Sequence, residues 1–70
     1  MLEKVLKKLD NTLQEILLTA NIKSNSINSF LTSSYWEFFE KQINQWLLAL
    51  KKVREGELEK AEEILEEIYL

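Results

Sequence analysis

Apolar residues in the first third of the chain recur at the spacing of an α-helix. Steps of four and three residues join Leu2, Leu6, Leu9, Leu13, Ile16 and Ala20. Such steps keep side chains on one side of a helix with about 3.6 residues per turn. Val5 and Leu17 widen the same stripe, and Asn21 suits the left-handed position that often follows a helix. The pattern predicts a helix over about 2–21.

A second stripe of the same period follows in the middle of the chain. It is formed by Trp36, Phe39, Ile43, Trp46, Leu50 and Val53. Ser34 and Glu37 match a capping box, and Gly56 stands where a helix commonly ends with a residue of positive φ. The pattern predicts a helix over about 35–55. Its large aromatic side chains are interpreted as core, with an aromatic box for a ligand or a peptide groove as the alternative, and the polar connector offers a partner for the indole N–H groups.

The C-terminal segment carries a third, shorter stripe, formed by Leu58, Ala61, Leu65 and Ile68. It predicts a helix over about 57–69. The single glycine between the second and third helices implies a tight antiparallel helical hairpin.

The connector between the first two helices is rich in Ser, Asn and Thr, which favour caps and turns. Ile27, Phe30 and Leu31 nevertheless have helical spacing, which predicts a short helix within 25–34. One continuous helix from about 25 to 55 is the alternative. The sequence as a whole therefore predicts an all-α bundle of three main helices in a single domain, 1–70.

The predicted hairpin resembles one tetratricopeptide-type repeat. The similarity rests on Leu48, Ala49, Gly56, Leu58, Ala61 and Leu65. Lys52 stands where that repeat has an aromatic residue, and no second copy follows at the period of about 34 residues. Because such repeats need neighbours to bury their faces, we interpret the segment as a generic helical hairpin and transfer no family function.

Composition excludes much chemistry. The chain has no His, no Cys and no Pro, so it lacks the commonest general base, the thiol nucleophile and the disulfide framework. We expect no catalytic residue, no cofactor and no metal site, and hence not an enzyme. The longest strongly apolar run is five residues, 46–50, whereas a membrane span needs about 20. Charges recur from the first residues, so we expect no secretory signal, no membrane association and a cytoplasmic protein.

Negative charge is concentrated at the C-terminal end. The net charge is −3, while residues 57–70 hold six Glu and one Lys. The candidate acidic partner face consists of Glu59, Glu62, Glu63, Glu66 and Glu67. These carboxylates are interpreted first as a solvated helix face, relieved by lysines 4, 7 and 8 of the first helix or by a basic partner. Metal binding is disfavoured because no Glu-x-x-His pair is present.

Three large apolar residues fall outside the stripes. Leu18, Phe38 and Leu48 point away from the predicted core on a helical wheel. They are either isolated exposed residues or a second interface, with a copy of the chain or with another protein. A chain of 8.3 kDa without disulfides or metal has a marginal core, which favours the interface.

These observations indicate a small acidic helical module for protein–protein interaction or regulation, and we expect it to be a homodimer. Two alternatives remain. One is a helix-turn-helix-like nucleic-acid-binding protein, which the net charge of −3 disfavours. The other is an acidic inhibitor that mimics nucleic acid against a basic partner.

Overall fold

The computed structural model describes residues 1–23, 31–32 and 34–68, with only the backbone described for 21–23. Its three helices are α1 (Leu2–Lys23), α2 (Tyr35–Arg54) and α3 (Leu58–Glu66). Within this described part there is no strand. The predicted all-α bundle of three main helices is therefore confirmed.

The connector lies largely outside the described residues. Only positions 31–32 of the predicted short helix are described, and they are helical. A turn at Ser34 precedes α2, which begins at Tyr35. The boundary predicted at 35 is confirmed, whereas the choice between a separate short helix and one continuous helix from about 25 to 55 falls largely on residues outside those described.

The helices alternate in direction along the bundle. Lys4 of α1 pairs with Glu62 of α3, and Lys8 pairs with Glu66. The residue numbers therefore increase in the same direction along both helices. This register makes α1 and α3 parallel. The tight connection after α2 makes α2 and α3 antiparallel, as the sequence predicted. It follows that α1 and α2 are also antiparallel.

The core lies where all three helices meet. Leu9, Ala49 and Leu65 contribute one buried side chain each from α1, α2 and α3. Partly buried side chains from α2, α3 and the segment after α3 pack around them: Trp46, Leu50, Val53, Ile64 and Ile68. The small Ala49 lets α2 approach closely, because a larger side chain there would hold the helices apart.

Trp46 joins α1 to α2 by a hydrogen bond. Its Nε1 donates to the carbonyl oxygen of Leu9 at 2.7 Å. A carbonyl has two lone pairs, so Leu9 can accept this bond as well as its own helical bond. The sequence-based expectation placed the indole partner in the polar connector. For Trp46 that expectation is wrong, because the backbone of α1 supplies the acceptor.

The start of α2 also differs from its prediction. Ser34 makes no side-chain hydrogen bond to the first turn, and its φ and ψ are already helical at −68° and −14°. A capping residue normally has an extended backbone, which aims its hydroxyl at the free N–H groups. The predicted capping box with Glu37 therefore does not form.

The turn between α2 and α3 depends on Gly56. Its φ is +81°, its N–H bonds to the carbonyl of Val53, and the N–H of Glu57 bonds to the carbonyl of Lys52. These two bonds make a Schellman motif, which closes a helix with a left-handed residue. The predicted role of Gly56 is confirmed.

The third helix is shorter than predicted. The stripe indicated 57–69, whereas α3 ends at Glu66 and Glu67 forms its C-terminal cap. No basic residue lies in the last turn. Carboxylates near a helix C-terminus are unfavourable because the helix dipole is negative there. The adjacent glutamates thus account for the early end, and position 69 lies outside the described residues.

Ile16 provides a test of core packing, because its side chain is fully buried. We expect Ile16→Ala to lower the free energy of unfolding by about 2–5 kcal/mol, since it removes buried methyl groups and leaves a cavity. Leu18→Ala is the matched control on the same helix and should change stability by less than about 0.5 kcal/mol. Urea denaturation followed by circular dichroism measures both. Equal losses would contradict the burial described here.

Gly56 provides a test of the turn. A Cβ at this position would meet nothing within 4 Å, so Gly56→Ala should cost only the strain of a left-handed backbone, about 1–2 kcal/mol. Gly56→Asn should cost less, because Asn tolerates this conformation. The same urea titration compares the two variants. An Asn variant no more stable than the Ala variant would show that φ is not the source of the loss.

Candidate interaction surface

Helix α1 buries a narrower line of side chains than its apolar stripe predicts. The buried positions are Val5, Leu9, Thr12 and Ile16. Three leucines of the predicted stripe are instead about half exposed: Leu2, Leu6 and Leu17. Only one edge of the stripe is therefore buried. The polar side chain of Thr12 lies among these buried positions. The apolar stripe of α1 is thus wider than the contact that buries it.

The exposed leucines of α1 lie on the side away from α3. Lys4 and Lys8 face α3, with which they form ion pairs, and the backbone of Leu9 faces α2. With about 100° per residue, Leu2, Leu6 and Leu17 lie further round the helix, beyond Leu9 and away from the lysines. They therefore border α2 on the side of the molecule opposite α3.

On α2, too, the buried side chains lie to one side of the apolar stripe. They are Gln42 and Ala49, whereas Trp36 is 38% exposed and Leu47 is 50% exposed. The interpretation of Trp36 as core is therefore wrong. Ala49 packs against α3 and Trp46 bonds to α1. Trp36 and Leu47 lie beyond Trp46 on the wheel, again on the side away from α3.

Together these five side chains form one surface, which we call the open face: Leu2, Leu6, Leu17, Trp36 and Leu47. Because α1 and α2 are antiparallel and Leu9 is level with Trp46, Leu6 lies near the level of Leu47. By the same register Leu17, about three turns beyond Leu6 on α1, lies near the level of Trp36. The open face therefore has members toward both ends of the helix pair, with the partly buried Leu13 and Ile43 between them.

Charged residues of both signs border the open face. Glu40 lies beside Trp36 in the N-terminal half of α2, while Lys51 and Arg54 lie beside Leu47 at its C-terminal end. All three are exposed. An apolar centre with a polar rim is the general composition of a protein–protein interface.

The three residues predicted as an interface are all exposed. Leu18 is 59% exposed, Leu48 42% and Phe38 39%. They are distributed over different parts of the surface, and none of them belongs to the open face. Leu18 lines a shallow depression of α1 residues together with Leu17. Their role in an interface stays a prediction.

Phe38 lies at the end of the bundle that α3 does not reach. Its ring packs against Tyr35 with centroids 5.6 Å apart, and burial raises the pKa of the Tyr35 hydroxyl. Phe38 also lines a depression of ≈ 420 Å³ with Gln42 and Ile68. Lys41, Gln45 and Glu67 line the same depression, so most of its lining residues are polar.

The acidic face is partly neutralised within the chain. Lys4 Nζ lies 3.3 Å from Glu62 Oε1, and Lys8 Nζ lies 2.8 Å from Glu66 Oε1. Relief of the glutamates by lysines of the first helix, one of the two routes considered above, is thus observed for two of the five. The other three are exposed: Glu59, Glu63 and Glu67. Fewer free carboxylates remain for a basic partner than the sequence implied.

A second group of ion pairs holds the turn after α2. Lys52 Nζ lies 3.1 Å from Glu57 Oε2 and 3.5 Å from Glu55 Oε1, and Lys60 Nζ lies 3.3 Å from Glu57 Oε1. The hydrogen bond from Lys52 lowers the pKa of the Glu57 carboxyl. The same bond, with the charge of Glu55, raises the pKa of Lys52. In α3 the bond from Lys8 lowers the pKa of Glu66.

Neither a metal-ligand cluster nor a membrane-spanning helix is found in the described part of the chain. Among the described residues, no group of three or more His, Cys, Asp or Glu side chains is arranged to hold a metal ion. Over the same part of the chain, no helix combines the length and apolar character needed to cross a bilayer.

The open face could not be read directly from the pattern. Its signal is the width of the stripes: on α1 the apolar residues extend from Val5 through Leu2 to Leu17, wider than one neighbouring helix covers. The sequence does not show which part of that width a neighbouring helix covers. The interface residues predicted from it were Leu18, Phe38 and Leu48, which lie apart from the stripes.

Comparison with known proteins gives no further guide to function. No family model, no curated protein and no solved structure matches this chain.

The lowered pKa values of Glu57 and Glu66 predict acid sensitivity. Because their pKa values lie below the ordinary value of 4.5 in the folded chain, their stabilising effect is complete above about that pH and is lost as the pH falls through the folded-state values. We expect the melting temperature to fall progressively below pH 4.5. Thermal denaturation between pH 7 and pH 3 measures it.

Two glutamine variants identify the source of this dependence. Glu66→Gln removes the partner of Lys8 and should reduce the loss of stability in acid. Glu63→Gln, which alters an exposed residue of the same helix outside these ion pairs, should leave the dependence unchanged. A Glu66 variant with the pH profile of the unaltered chain would contradict the prediction.

Proposed function

We propose that this chain is a protein–protein interaction or regulatory module that associates with partners through the open face. The observation that carries the proposal is the exposure of five large apolar side chains along one side of α1 and α2. Contiguous apolar patches with a polar rim are typical of association sites. The module acts by binding and carries out no reaction of its own.

The composition supports a role without catalysis. A chain with no His and no Cys has neither the usual proton carrier near neutral pH nor a thiol nucleophile. Small secreted domains commonly depend on disulfides, so the lack of cysteine also supports our placement of the protein in the cytoplasm.

The two nucleic-acid alternatives have less support. Lys4 and Lys8 are engaged with Glu62 and Glu66, and phosphate binding would have to compete with these ion pairs. The same pairs remove two carboxylates from the surface that a nucleic-acid mimic would present.

Site-specific photocrosslinking tests whether the open face binds protein in the cell. A photoreactive phenylalanine derivative placed at Leu47 should give a discrete adduct, whose two components are identified by mass spectrometry. Leu48 is the matched control, because it is the next residue on the same helix and similarly exposed. It faces about 100° further round the helix.

The proposed function requires an adduct from position 47 that is several times stronger than the adduct from position 48. Positions 17 and 18 on α1 offer the same comparison on the other helix, since Leu17 belongs to the open face and Leu18 does not. Equal or absent crosslinking at all four positions would overturn the proposal.

A further inference from the structure

The exposed area of the chain exceeds that of an ordinary monomer of its size. The accessible surface is 5146 Å², whereas a folded monomer of 8.3 kDa exposes about 4,600 Å². The excess is about 550 Å². If each of two chains buried this excess, the interface would remove about 1,100 Å², which exceeds the ~1,000 Å² that specific interfaces need.

The apolar positions of the open face, together with the partly buried Leu13 and Ile43 beside it, suit a two-fold axis. On α1, positions 2 and 17, and likewise 6 and 13, are symmetric about a point between residues 9 and 10, and all four are leucines. A two-fold interface requires that residue i meets residue j and that j meets i in return. Two antiparallel copies of α1 would therefore place leucine against leucine along this line.

Helix α2 has a matching centre. Ile43 and Leu47 are symmetric about position 45, and so are Trp36 and Arg54. The hydrogen bond between Trp46 and Leu9 places this centre level with the centre on α1. One axis at that level would therefore satisfy both helices, with apolar contacts at the middle of α2 and an Arg54 guanidinium over a Trp36 ring at each end.

The rim charges are complementary in the same arrangement. About the centre at position 45, Glu40 opposes position 50 of the second copy and so lies beside its Lys51. Within one chain, Glu40 and Lys51 are eleven residues apart on α2, about 16 Å along the helix axis, too far to pair. The acidic and basic residues that border the open face are thus complementary to those of a second copy whose α2 runs in the opposite direction.

We propose that the partner of the open face is a second copy of this chain, packed face to face with α2 antiparallel to α2 about a two-fold axis near residue 45. This inference rests on the proposed function, because it names the occupant of the same surface. The dimer leaves α3 on the outside of each chain, and the four long helices form the centre.

Light scattering behind size exclusion, across a dilution series at physiological ionic strength, measures the association. The unaltered chain should have a molar mass near twice the 8.3 kDa of one chain. Leu47→Glu and Leu17→Glu should raise the dimer dissociation constant about a hundredfold or more, because each places a charge at the interface in both copies. Leu48→Glu and Leu18→Glu are the matched controls and should remain dimeric.

Charge exchange tests the orientation. Glu40→Lys and Lys51→Glu should each raise the dissociation constant about tenfold, because each turns two attractive contacts into repulsive ones. The double variant should return it to near the original value. Rescue can arise only between chains, and circular dichroism confirms that every variant remains helical.

The outcomes separate this inference from the proposed function. An unaltered chain that remains an 8.3 kDa monomer overturns the dimer, and adducts from position 47 to a different protein would then still support the proposed function. A dimer lost in the Leu48 and Leu18 variants but kept in the Leu47 and Leu17 variants also overturns the open face as its interface. Failure of the charge rescue overturns the antiparallel α2 arrangement.

Discussion

The length of α3 limits what the other two helices can bury. α3 has nine residues, while α1 and α2 have 22 and 20. A helix advances about 1.5 Å per residue, so α3 spans less than half of the pair it packs against. Because α3 is also a single helix, it contacts one side of α1 and α2, where Leu9 and Ala49 lie in the core with Leu65. The apolar residues on the opposite side of these two helices are left exposed.

The position of α3 is fixed at both ends by different interactions. At its start, Gly56 closes α2 with a left-handed residue, and Lys52 bonds to Glu57 across the turn. Along its length, Glu62 and Glu66 meet the two lysines of α1. The glutamates of α3 therefore match the lysines of α1 in register, and the open face lies on the side of α1 and α2 that α3 leaves uncovered.

Local features were predictable from sequence, and the orientation of each helix was not. The starts of α1 and α2 and the left-handed Gly56 follow from spacing and from backbone preferences that act within a few residues. The burial of Gln42 and Ala49 in place of Trp36 depends on the rotation of α2 against two neighbours. When an apolar stripe is wider than the surface of the neighbouring helix, the helix can rotate about its axis and still bury a similar apolar area. Nothing in the sequence around the polar residues Thr12 and Gln42 indicates that their side chains are buried. The open face, which depends on that rotation, was missed for this reason.

The register between α1 and α3 also has a consequence for the order of folding. The hairpin of α2 and α3 needs only the few residues around Gly56 to bring its helices together, whereas the bond from Lys8 to Glu66 joins residues 58 positions apart. Closing a longer loop costs more chain entropy, and distant contacts slow folding. We therefore expect the C-terminal hairpin to form first and α1 to dock onto it last. Because α1 precedes α2 and α3 along the chain, Val5, Leu9 and Ile16 lack their packing partners until both later helices have left the ribosome.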